Sequence, residues 1–137
     1  MGIDDVIVTR IIFDRFSNEF QNCFEVDVAI AGAGPAGLTA AKYLSLAGKK
    51  VVVFERKLSI GGGMWGGGMM FPVVVVQEES KHILEEAHVK VKNEGNGYYS
   101  ANAVEAVTKL CSSAIDAGAR FFNAISVEDV LLEDNKV

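Results

Sequence analysis

Apolar side chains recur at helical spacing through residues 4–22, where Ile7, Ile11, Ile12, Phe16 and Phe20 fall three or four positions apart and Asp4 or Asp5 can cap the first turn. The spacing predicts an amphipathic helix and divides the chain into residues 1–24 and a following unit, residues 25–137. Residues 25–31 (EVDVAIA) change the period. Rich in β-branched residues and ending at glycine, they suit a buried strand of a parallel sheet. Residues 35–47 return to a helical pattern, with Leu38, Ala41, Leu44 and Leu46 on the apolar side and Gly48 as the stop. Residues 50–54 form a second strand. Strand, helix and strand within about 30 residues make a right-handed crossover unit, the seed of a doubly wound α/β sheet.

Beyond the glycine-rich stretch that follows, the pattern predicts a polar helix over 78–87 and short strands over 89–93 and 98–100 around the turn Glu94-Gly95-Asn96-Gly97. Asn102 caps a further helix running to Ala117 and closed by Gly118, and residues 120–123 and 126–132 read as strands. Glu133-Asp134-Asn135-Lys136 resembles a hairpin turn with only Val137 after it. A strand needs a returning partner for its ladder bonds, so the expectation is a parallel α/β fold that stops short of completion. No internal repeat or low-complexity linker interrupts it.

Composition narrows the class. The 137 residues are 50% hydrophobic and 23% charged, which fits one globular domain able to bury a core without disulfides or structural metal. The net charge of −5 argues against nucleic-acid binding, which usually needs a basic excess. No export signal is visible, and the longest apolar run, residues 69–76, is far too short to span a membrane. Cys23 and Cys111 form no framework, which points to a reducing cytoplasm with both thiols free.

Nine of the 14 glycines sit in two short stretches, and those stretches carry the candidate chemistry. The first, Gly32-Ala33-Gly34-Pro35-Ala36-Gly37, lies between a predicted strand and a predicted helix, with Glu55 at the end of the next strand. Gly32 permits a tight turn, Gly34 lets backbone approach a pyrophosphate, and Gly37 lets the helix pack closely. The helix N-terminus offers free N–H groups to phosphates. Glu55 can accept hydrogen bonds from an adenosine ribose and repels a 2′-phosphate. Arg56 either reaches the nucleotide or is a solvated surface charge. The second stretch packs six glycines into residues 61–68, interleaved with Met64 and Trp65 and followed by Met69, Met70 and Phe71. A flexible linker would be padded with polar residues, so an ordered loop against a ligand or a subunit is expected.

These residues carry a resemblance. D-V-A-I-A-G-A-G-P-A-G-L-T-A-A, then K-V-V-V-F-E-R-K-L-S-I-G-G-G-M-W-G-G-G-M-M-F and V-V-Q-E-E, resemble the thiamine thiazole synthase family, particularly its archaeal sulfide-dependent branch, and the likeness continues through A-I-D-A-G-A and S-V-E-D-V. The glycine turn is shared with every glutathione-reductase-like flavoprotein, whereas the double glycine triplet is far more specific. The resemblance implies a Rossmann-like FAD/NAD(P)-binding fold and an enzyme that consumes NAD as a substrate. Nicotinamide is lost, the ADP-ribose part condenses with glycine, and sulfide enters at an Fe(II) centre to give an adenylated thiazole carboxylate. By motif, Ala36, Glu55 with Arg56, Gly63 and Val127 would contact NAD. From the residues alone, Val127 reads as a core strand valine. The resemblance also implies a homo-oligomer, an octamer. Family members run to about twice this length, and their iron ligands and glycine-binding arginine are expected beyond residue 137, which leaves no metal ligands here and the catalytic residues unknown. Ala36 stands where archaeal members often have serine, and Pro72-Val73 where a more polar pair is expected.

The turn and acidic residue would equally cradle the ADP half of FAD, so an FAD-dependent oxidoreductase and a non-catalytic nucleotide-binding fragment remain alternatives. His82 and His88, six positions apart, point to different faces of a helix and read as surface residues. The pairs Glu78-Glu79 and Glu85-Glu86 beside Lys81 read as a solvated face, and neither cysteine has a basic neighbour to activate it.

Overall fold

The computed structural model describes residues 2–137. Asp4 accepts hydrogen bonds from the N–H groups of Val6 and Ile7 and so starts helix α1 (Asp5–Gln21). Strand β1 (Val28–Ala31), helix α2 (Pro35–Leu46) and strand β2 (Val51–Glu55) follow as the expected crossover unit, with β1 and β2 paired in parallel. Strand β3 (Val73–Gln77) leads directly into α3 (Glu78–Glu86). A hairpin of β4 (Lys92–Gly95) and β5 (Tyr98–Asn102) comes next, then α4 (Ala103–Asp116) and β6 (Arg120–Asn123).

Two three-stranded sheets result. The first has the order β1-β2-β6 and is parallel throughout; the second has the order β3-β5-β4 and is antiparallel. Strand β2 is central in the first sheet, and the two-residue period of a strand divides its side chains between two cores. Val51 and Val53 face a layer made by α2 and α4, where they join Leu38, Ala41, Leu110 and Ala114. Val52 faces the other side, beside Phe122 and Cys23. Small residues on both helices, Ala41 on α2 and Ala103, Ala106 and Ala114 on α4, lie in this interior. Glu55 shares the parity of Val51 and Val53, so its carboxylate falls on the α2 side, where the glycine turn is.

The structure differs from the expectations at several points, one being the strand expected over 89–93, which lies at Lys92–Gly95. Residues 126–132 do not form a strand: they have no ladder partner among the described residues, and the turn at residues 133–136 closes only on itself through Glu133 and Lys136. Strand β3, four valines and Gln77, is absent from the elements that the pattern predicts, because the neighbouring glycines and Pro72 read as loop. Helix α1 is amphipathic in sequence yet buries no residue; it rests on the sheet through Phe16 and Phe20, which meet Phe122 at centroid distances of 6.0 and 5.3 Å. Its first half carries Val6, Ile7, Ile11, Ile12 and Phe13 exposed.

Phe122 is therefore the seat of α1. Phe122→Ala is expected to cost about 3–5 kcal/mol and to loosen α1 before the rest of the fold. Urea unfolding, with hydrogen exchange of the α1 amides, checks both.

Candidate functional site

The chain leaves β1 at Ala31, turns at Gly32 (φ +101°) and enters α2 with Gly34 as N-cap and Pro35 at the first helical position. Gly37 is the point of closest approach: a Cβ there would lie 2.1 Å from the Gly32 carbonyl oxygen. That clash explains the third glycine of the motif without reference to any ligand.

Glu55, at the end of β2, is buried and held by two backbone donors. The Ala33 N–H donates to Oε2 and the Lys57 N–H to Oε1, each at 2.8 Å. These bonds, Lys57 first and Ala33 second, with the nearby Lys57 and Arg56 charges, hold the carboxyl below the usual carboxylate range against the opposing effect of burial. The side chain stays ionised and its remaining lone pairs stay available as acceptors.

A cleft of about 320 Å³ opens beside this carboxylate, lined by Gly32, Phe54, Glu55, Arg56, Gly62 and Val127 among others. Of the residues singled out in the sequence, Gly32, Glu55, Arg56 and Val127 are brought together here. Arg56 is exposed at the rim. Val127 is not the core valine its local pattern implied; it is 43% exposed and reaches the cleft because the expected strand does not form. Ala36 is not in the cleft: it lines a second, almost wholly apolar cavity of about 490 Å³ with Met64, Val74 and Leu110. Gly63 lines neither, although its neighbour Gly62 does, and a Cβ on Gly62 would stand 3.4 Å from the Gly34 Cα. The two glycine stretches are thus in contact. Ser126 and Lys57, neighbours of Val127 and Arg56 in the quoted motifs, also line the cleft, although neither is singled out by the sequence.

The second glycine stretch is ordered. Residues Gly62–Gly66 make a 3-10 turn, the Gly61 N–H donates to the Ala33 carbonyl at 2.8 Å, and the Trp65 indole N–H donates to the Ile60 carbonyl at 2.6 Å. Gly61 (φ +111°) is wedged between Val107 and Trp65, leaving no room for a side chain. Met64 packs on the core, whereas Met69, Met70 and Phe71 remain exposed. Burial raises the Cys111 thiol, which leaves it unreactive. Among the described residues, no group of three His, Cys, Asp or Glu side chains is placed to hold a metal ion, and no helix is long and apolar enough to cross a membrane.

Comparison with known proteins bears on this arrangement. The model of the Thi4 family matches residues 9–137. A protein of Methanosarcina barkeri named thiamine thiazole synthase is 55% identical over 135 residues, which are 98% of this chain and 52% of that protein. The crystal structure of Thermovibrio ammonificans THI4 matches with a TM-score of 0.92 at 45% identity, across 98% of this chain and 52% of the other. A 3-ketosteroid dehydrogenase from Rhodococcus jostii, 15% identical, matches with a TM-score of 0.65 over 81% of this chain and 40% of its own, and shares the fold alone. The fold is the Rossmann-like FAD/NAD-binding one. The chain spans about half the length of the curated relatives it matches.

Two substitutions probe the site's frame. Gly37→Ala is expected to cost about 3 kcal/mol, read as a lowered urea midpoint. Glu55→Gln turns one of the two side-chain oxygens that accept from backbone N–H groups into an amide donor and is expected to cost about 2 kcal/mol. Since the carboxyl pKa is lower folded than unfolded, the wild-type advantage is full above the unfolded value and disappears as pH falls through the folded one. Thermal midpoints of the two proteins, compared from neutral to acid pH, should converge on the acid side.

Proposed function

The chain belongs to the Thi4 family, and from that premise we propose that it carries the dinucleotide-binding part of a thiamine thiazole synthase, a transferase that takes NAD as substrate. The observation that carries this reading is the cleft at the end of β2. Its single buried carboxylate keeps acceptor capacity for ribose hydroxyls, and Val127 and Phe54 offer apolar surface for an adenine. Gly32 and Gly34 leave the turn free of side chains, and the N-terminus of α2 offers positive potential for the pyrophosphate. Glu55 would bind the ribose, Arg56 would close the rim, and Ala36 and Gly63 would contact the remainder of NAD where it runs past the turn.

Bound NAD supplies the ADP-ribose that is to be built into an adenylated thiazole, together with glycine and sulfide. The residues of this chain bind and orient it. Fe(II) does not fit the described residues, which form no ligand group, so no sulfur-transfer step is assigned to them. In this reading the iron ligands and the glycine site belong to the part of the relatives that the chain does not span. In the same reading residues 25–137 form the nucleotide-binding unit, and helix α1 (Asp5–Gln21) before it is an appendage. The exposed apolar positions of α1 and of Met69, Met70 and Phe71 favour a homo-oligomer, of which the octamer is the expected form. A cytoplasmic location accords with two free cysteines.

Denaturing the purified protein and identifying any released nucleotide by mass spectrometry tests the reading. An ADP-ribose species or an adenylated thiazole is expected. Released FAD would move the assignment to the flavoproteins, and a protein that neither releases nor binds a nucleotide would overturn it.

A further inference from the structure

The wall of the cleft that carries Val127 is made by a segment with no strand partner of its own, and its placement rests on three hydrogen bonds to the loop after Glu55. The Ile125 N–H donates to the Glu55 carbonyl at 3.0 Å and the Ala124 N–H to the Lys57 carbonyl at 3.2 Å. The third bond is a side chain's: Asn123 Nδ2 donates to the Leu58 carbonyl at 2.8 Å, across 65 residues of chain. Asn123 is the last residue of β6, in register with Glu55. Ala124 then takes a left-handed conformation (φ +57°), unusual for a residue with a Cβ, and this turns the chain out of the sheet toward the cleft. Ser126 and Val127 line the cleft immediately beyond.

We propose that Asn123 is a positioning residue for the nucleotide cleft. Its amide ties the 55–58 loop to the end of β6, and with Ala124 it sets where Val127 stands relative to Glu55. This rests on the nucleotide reading above. Asn123 lines no part of the cleft itself, and its exposed hydrogen bond adds little to overall stability. Its loss should therefore appear in ligand affinity and leave unfolding nearly unchanged.

The test is calorimetric titration of ADP-ribose into the full 137-residue chain, alongside thermal unfolding. Asn123→Ala and Asn123→Asp remove the donor and are expected to weaken binding about five- to tenfold, with midpoints within about 2 °C of wild type. Asn123→Gln keeps an amide donor and is expected to recover most of the affinity. Unchanged binding in the Ala and Asp variants would overturn the role of Asn123 while the nucleotide reading stands. Weakened binding that follows a falling midpoint and is not recovered by Gln would overturn it as well, as damage to the fold. A wild-type chain that does not bind ADP-ribose would overturn the nucleotide reading, and the role of Asn123 with it. Asn123 variants that fail to fold would overturn the proposal too, since the bond to Leu58 would then hold the fold rather than position the cleft wall.

Discussion

The carboxylate of Glu55 is the interaction on which the rest of the site depends. One of its oxygens receives the Ala33 N–H from the glycine turn, the other receives the Lys57 N–H from the loop after β2, and its backbone carbonyl receives the Ile125 N–H from beyond β6. Three segments distant in sequence are thereby fixed around one residue at the carboxyl ends of the parallel strands, where open α/β sheets place their ligands. A buried charge is costly unless it is hydrogen-bonded, and here both oxygens are supplied by backbone donors that would themselves be short of acceptors. Frame and cleft share this one residue, so the ionised state that keeps acceptors free in the cleft is also the state that holds the glycine turn and the loop after β2 in place.

Much of the fold was legible because the chain states it locally. The β1-α2-β2 unit follows from a change of period at residue 25, a proline at the first helical position and a glycine at the stop. The caps Asp4 and Asn102 sit where their side-chain chemistry puts them. What was not legible depends on partners far away in sequence. Val73 to Val76 is strand only because β5 supplies the ladder, and Pro72 with the glycines before it masks the signal. Residues 126–132 have the right residue types for a strand but no partner among the described residues, so propensity alone misleads.

The site divides in the same way. Gly32, Gly34, Gly37 and Glu55 were readable from spacing, since each occupies a place in a strand-turn-helix-strand unit that only a few residue types can fill. Val127 was not, because its value lies in an unpaired segment swung into the cleft by Ala124, and a valine beside acidic residues carries no such signal. Ser126, Lys57 and Gly62 lie inside the motifs but were not singled out as site residues, because only folding geometry shows which members of a motif reach the cleft. The resemblance to a known family supplied Val127 where periodicity could not.

The pairing of β6 with β2 has a kinetic side. The β1-α2-β2 unit closes over a short stretch of chain, whereas β6 must return across α4 and the whole antiparallel sheet before it can pair with β2. Such a long loop carries a closure entropy that must be met before its contacts form, so β6 should dock late in folding. The Val127 wall arrives with it. The cleft would then be the last part of the structure to be completed, and any ligand held between the glycine turn, Glu55 and Val127 would draw the final strand into place by mass action. A ligand of this cleft would thus act as a folding partner of the chain.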